Sequence, residues 1–231
     1  MGTPITSLNQ TRATPGKKTL EGLVNAIRTR ANFMPRGYIS GFVPSNGTDA
    51  TNDLNFSAGE CLDSAFTSPC ILQSAITKRA DATWAAGTGN GGMAAGVTWG
   101  ANTFHAFALW QDGKLNKVDV GFDTSLTAAN LLASSAVRIA GFTKYRRIAS
   151  FITTGAAWRL FTATELAGGA LQMEYKAFVS EMDQYDASIA RQVRTIAVPI
   201  GLTVVAHMTA RLILYNVANN IAAWILPTIF T

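Results

Sequence analysis

From residue 37 onward the apolar positions of this chain alternate with polar ones, and the breaks between runs fall at Gly, Asn and Asp. That is the period of strands punctuated by turns. Residues 38–42, 54–56 and 71–74 read as short strands, and the stretch 44–53 between the first two is crowded with Ser, Asn, Gly, Thr and Asp. Those side chains bond their own backbone and favour turns. In residues 103–111, Phe104, Ala106, Ala108 and Trp110 alternate with His105, Phe107 and Leu109. Both faces are mostly apolar, which predicts a central strand covered on both sides. Asp112-Gly113 turns the chain into a run where Val118, Val120 and Phe122 alternate with Lys117, Asp119 and Gly121. This reads as a hairpin whose second strand has one wet face. Residues 145–152, a turn at Thr154-Gly155 and residues 158–161 read as a second hairpin of the same kind. The more acidic segment 172–191 reads as a crossing between sheets, and 195–198, 202–215 and 221–226 as further strands.

The amino end has a different pattern. Residues 1–18 show no apolar period and read as an extended arm. Leu20, Leu23, Val24 and Ile27 then fall at i, i+3, i+4 and i+7 behind a Thr19 cap, with Glu21 in the first turn and Arg28 and Arg30 in the last. This predicts a short amphipathic helix ending before Pro35. A helix of about a dozen residues is marginal alone in water, so its stripe must pack on its own domain or on a partner. The expectation is an all-β fold, an antiparallel, jelly-roll-like β-sandwich over residues 37–231, preceded by an arm and docking helix over 1–36.

Composition changes this picture in one respect. Charged residues make up 14% of the 231 and apolar ones 48%, against roughly 25% charged for a typical soluble domain. Some apolar surface is therefore expected to meet another subunit, and the terminal stretch with Ile221, Trp224, Ile225 and Phe230 is the candidate interface. The net charge of +5 is scattered, with no run of like charges to predict a nucleic-acid tail. Residues 196–214 are broken by Pro199 and Gly201 and carry His207 and Arg211, short of the roughly 20 clean residues of a membrane span. No secretory signal is read at the amino end. Cys61 and Cys70 could close a short disulfide, but free thiols are the expectation for a protein made in the cytosol.

Candidate chemistry is sparse. Gly87-Thr-Gly-Asn-Gly-Gly92 lacks the Lys-Ser or Lys-Thr of a phosphate loop and reads as a flexible surface loop. Both histidines, His105 and His207, lie in apolar strands and read as core or interface residues held by backbone carbonyls, with no nucleophile elbow nearby. The acid pairs Glu60 with Asp63 and Asp119 with Asp123 are the candidates for glycoside hydrolysis, yet Asp119 and Asp123 read as solvated acids of a hairpin. Asn46, Asp49, Asn52 and Asp53 offer oxygens without calcium-loop spacing. No catalytic residue, metal ligand or cofactor is assigned.

Four motifs carry a resemblance: Gly37-Tyr-Ile-Ser-Gly-Phe42, Asn46-Gly-Thr-Asp-Ala-Thr-Asn-Asp-Leu54, the run from Ile76-Thr-Lys-Arg to Gly92, and Lys144-Tyr-Arg-Arg-Ile-Ala-Ser-Phe151. In order and spacing they resemble a domain met repeatedly in bacteriophage tail and tail-fibre proteins, over residues 37–161. The resemblance implies a structural virion protein, commonly trimeric, made in the host cytoplasm and placed in the tail. Its arm would join other virion proteins, and it would help attach the particle to a host surface glycan or protein. A capsid decoration or head-tail connecting protein is the alternative, and a glycan-binding module or glycosidase the third. The chain departs from the pattern in an apparent insertion at residues 61–70, in the apolar character of 131–138, and in its apolar last residues.

Overall fold

The structure, a computed structural model, describes residues 35, 37–114, 117–153, 155–176 and 198–205. The helix stripe Leu20, Leu23, Val24 and Ile27 and the interface candidates Ile221, Trp224, Ile225 and Phe230 lie outside the described residues, as does His207. By contact the chain separates into two units, Met1–Pro199 and Ile200–Thr231. In the second, residues 202–205 carry no strand.

The described part of the first unit is all-β, as expected, with two helices of five residues. In chain order its strands are β1 (Ile39–Gly41), β2 (Pro44–Asn46), β3 (Asp53–Phe56), β4 (Gly59–Leu62), β5 (Pro69–Leu72), β6 (Ile76–Thr83), β7 (Asn90–Met93), β8 (Thr103–Trp110) and β9 (Val118–Asp123). Helices α1 (Ala129–Ala133) and α2 (Ser135–Ile139) follow, then β10 (Lys144–Ile152), β11 (Phe161–Glu165) and β12 (Leu171–Tyr175). A seven-stranded sheet runs β10-β8-β9-β7-β6-β3-β2; β1-β4-β5 form a second sheet and β11-β12 a ribbon. Pairing is antiparallel except around β7, which runs parallel to both β6 and β9.

The doubly apolar run at 103–111 is a central strand, and every residue of β8 is buried. Phe104, Ala106, Ala108 and Trp110 join a core with Val120 and Phe122 of β9, Leu54 and Phe56 of β3, and Cys61 and Cys70 of the small sheet. This is the sandwich interior. Phe107 and Leu109 point into a second core with Trp84, Leu131 of α1, Val137 of α2 and Phe142. The hairpin predicted at Asp112-Gly113 is also present, with Trp110 opposite Val118.

Other expectations are corrected. The supposed wet face of β9 is dry: Asp119, Gly121 and Asp123 are all buried, because the chain around α1 and Trp84 folds over them. The second hairpin shrinks to one bridge between Thr153 and Trp158, and β11 pairs instead with β12, inside the segment read as a crossing. The Gly87–Gly92 run is only half a loop. Asn90–Met93 is an interior strand in which Gly91 and Gly92 are buried. A Cβ on Gly91 would strike the Thr83 and Ala82 carbonyls, and one on Gly92 the ring of Phe122. Those glycines are required for close approach of strands, which composition alone had made look flexible. Strand β5 begins at Pro69 instead of residue 71.

Candidate functional site

Buried polar groups gather beside the smaller core. Lys78 of β6 has a side chain with no exposure, and its Nζ lies 3.0 Å from Asp119 Oδ1 on β9, itself 4% exposed. The same Nζ donates to the carbonyls of Ala85 (2.6 Å) and Gly87 (3.1 Å) and sits 5.3 Å from the Trp84 ring centre. Asp119 in turn accepts from the backbone N–H of Gly87 at Oδ2 and of Val120 at Oδ1, both at 2.6 Å. Burial lowers the Lys78 pKa and raises that of Asp119, and their mutual attraction opposes both shifts. The pair fastens the 85–89 loop to the sheet.

Further along the same strand, Asp123 closes β9 and holds the start of α1. Its carboxylate accepts from the backbone N–H groups of Ser125, Asn130 and Leu131 and from Asn130 Nδ2, all at 2.8–3.0 Å. Helix α1 begins behind Ala128, which has a left-handed backbone and no side-chain cap. Asp123 therefore supplies the acceptor that the helix end lacks locally.

Ser150, His105 and Asp123 stand opposite one another on β10, β8 and β9. His105 Nδ1 is 2.8 Å from Ser150 Oγ, so this ring is satisfied by a hydroxyl where sequence reading expected a carbonyl. The row has the residue types of a Ser-His-Asp triad. Its chemistry is different, because His105 is only 1% exposed and both oxygens of Asp123 are engaged by the α1 segment.

The other acid pair is also divided between structural tasks. Asp63 accepts from Thr67 N (2.6 Å), Ser68 N (3.1 Å) and Thr67 Oγ1 (3.0 Å), closing the turn between β4 and β5. Burial raises its pKa, but these bonds and Lys144, 3.4 Å away, outweigh burial and lower it overall. Glu60 accepts from the Tyr38 hydroxyl at 2.7 Å. It lines an open groove of about 570 Å³ with Ser40, Ile71, Gln73 and Glu165, and the Glu165 carboxylate is bound to Gly41 N–H. Across β4 and β5 the Cys61 and Cys70 sulfurs are 3.3 Å apart, buried and free, the state expected from the sequence. Burial, reinforced by the neighbouring thiol, pushes Cys61 well above the ordinary thiol range.

Among the oxygens near residue 50, Asp49 caps its own turn by accepting from Thr51 N and Asn52 Nδ2, and among the described residues no group of three His, Cys, Asp or Glu is arranged to hold a metal. Nor, among those residues, is any helix long and apolar enough to cross a membrane. No protein-family model matches the chain, and no curated protein or solved structure matches it either.

Lys78 carries a sequence signal of its own. It shares its alternation with Ile76 and Ala80, both buried, and an inward-phased lysine requires a buried partner.

Proposed function

We propose that this chain is a structural component of a tailed-bacteriophage virion, a tail-fibre or tail-tip protein that contributes to host attachment and assembles as a trimer through its apolar carboxyl end. The observation that supports this reading is where the four resembling motifs come together. The first meets the fourth, as Arg146 Nη2 donates to the Gly37 carbonyl at 3.0 Å. The second pairs with the third, with Asp53 opposite Arg79 and Leu54 opposite Lys78. Stretches far apart in sequence thus form mutual contacts of one scaffold, as motifs shared for architecture should. The buried glycines and the engaged acids belong to that same framework.

Quantitative mass spectrometry on purified particles of the phage that encodes the chain tests the proposal. A few copies per particle, in a multiple of three and lost with the tail when heads are separated, are expected. Hundreds of copies remaining with heads would make it a decoration protein, and absence from washed particles would refute a virion role.

A further inference from the structure

The contact between Lys78 and Asp119 joins strands that are not neighbours: β7 lies between β6 and β9 in the sheet. We propose that these two side chains form an intramolecular amide, linking Lys78 Nζ to Asp119 Cγ with loss of one water. The assignment rests on three features of the geometry. The reacting groups are already in contact, at 3.0 Å, with exposures of 0% and 4%. The carboxyl group is fixed by two backbone donors, Gly87 N–H on Oδ2 and Val120 N–H on Oδ1. The amine is fixed by two carbonyl acceptors, those of Ala85 and Gly87. Neither group retains the freedom that makes amide formation between separate molecules slow, and well-aligned intramolecular partners reach effective concentrations of roughly 10⁵–10⁸ M.

The step balances without a co-reactant. The Lys78 ammonium passes one proton directly to the Asp119 carboxylate, giving a neutral amine and a neutral acid. Burial favours this exchange, since it lowers the lysine pKa and raises that of the aspartate. The nitrogen lone pair then attacks Cγ, and the C=O π pair moves onto oxygen. Gly87 N–H, already on Oδ2, stabilises the resulting oxyanion, as preorganised backbone donors do in acyl transfer. The nitrogen loses a second proton to the hydroxyl on the other oxygen, the C–O bond breaks and water leaves. The product is a secondary amide whose N–H has the Ala85 carbonyl as a ready acceptor. Nothing is oxidised or reduced.

The full-length chain, folded at near-neutral pH and then denatured, should have an intact mass one water below that of its sequence, after allowance for Met1 removal. Tryptic digestion should yield a branched peptide in which Lys78 is uncleaved and linked to the peptide containing Asp119. Lys78→Arg and Asp119→Ala should each restore the full mass. If these variants do not fold, fragmentation of the branched wild-type peptide decides alone. A wild-type chain of full sequence mass after prolonged incubation overturns the proposal, as does a water loss confined to the Asp119 peptide with Lys78 still cleaved by trypsin.

Discussion

The two faces of the seven-stranded sheet are held by different physics. On the sandwich face, Trp158 packs against Trp99, Phe104, Phe122 and Phe151 with ring centres 4.6–5.9 Å apart. On the opposite face a smaller cluster around Trp84, Leu131 and Phe142 sits beside the buried Asp119, Asp123 and His105, and the Lys78 ammonium reaches Trp84 and Asp119. A second sheet brings enough apolar area to hold itself in place. Two five-residue helices do not, since so short a helix is unstable without tertiary support; the Asp123 carboxylate fastens α1, and Asp119 with Lys78 fastens the 85–89 loop. The first face depends on area and the second on a few directed bonds. Damage should therefore spread differently from each.

The largest effect is expected from Trp158→Ala. The ring is 4% exposed, and its Nε1 donates to the Asn52 carbonyl at 2.9 Å, so removal leaves a cavity and takes one of two donors from a carbonyl that keeps the Ala80 N–H at 2.8 Å. Such truncations cost about 3–5 kcal/mol. Denaturant unfolding should show an earlier midpoint with an unchanged slope, the mark of global destabilisation. A loss below about 1 kcal/mol would mean that the aromatic cluster repacks, in the manner of volume-tolerant cores, and would weaken the contrast between the faces.

Asp123→Ala should cost less and act locally. It removes the acceptor for three backbone N–H groups and the Asn130 amide, a loss of roughly 1–3 kcal/mol after partial re-solvation. Hydrogen exchange should accelerate at Asn130 and Leu131 while β8 amides stay protected, because the sandwich core does not depend on the helical cover. Equal loss of protection in β8 would show that the two faces unfold as one unit.

The sandwich face was legible in the sequence, as was the cover over Phe107 and Leu109, but the buried acids beneath that cover were not, for a reason visible in particular residues. Phe104, Ala106, Ala108 and Trp110 announce their phase because apolar side chains have one comfortable destination. Asp119 and Asp123 have two, water or a buried set of donors, and alternation cannot distinguish them. Most of the donors that decide the matter, the N–H groups of Gly87, Val120, Asn130 and Leu131, are backbone groups placed by the fold, with no signature of their own. Gly91 and Gly92 failed in the same way: a glycine marks both a loop and a tight strand crossing. The second hairpin failed because β11 pairs with β12, most of which lies in the acidic segment read as a crossing between sheets.

The smallest expected effect concerns pH and separates the faces by chemistry alone. His105 lies on the polar face, and burial lowers its pKa, helped by the charge of Arg147 and opposed by Asp123. The folded protein therefore holds the ring neutral at pH values where the unfolded chain, with an ordinary pKa of about 6.5, has begun to bind a proton. Between those two values the unfolded state carries more protons, so stability rises with pH across the window and falls as pH is lowered through it. The Ser150 hydroxyl can donate to or accept from Nδ1 in either neutral tautomer, whereas protonation leaves it only the accepting role. His105→Gln removes the titration and keeps a side chain able to bond Ser150. The melting temperature of the parent should drop between about pH 7 and about pH 5, the range in which histidine changes charge, and that of the variant should drop less. Parallel curves would remove His105 as the source of any acid sensitivity in this range, since Asp63, whose lowered pKa gives the same sign, acts only at lower pH. The contribution of His105 to the polar face would then be that of packing and a single hydrogen bond.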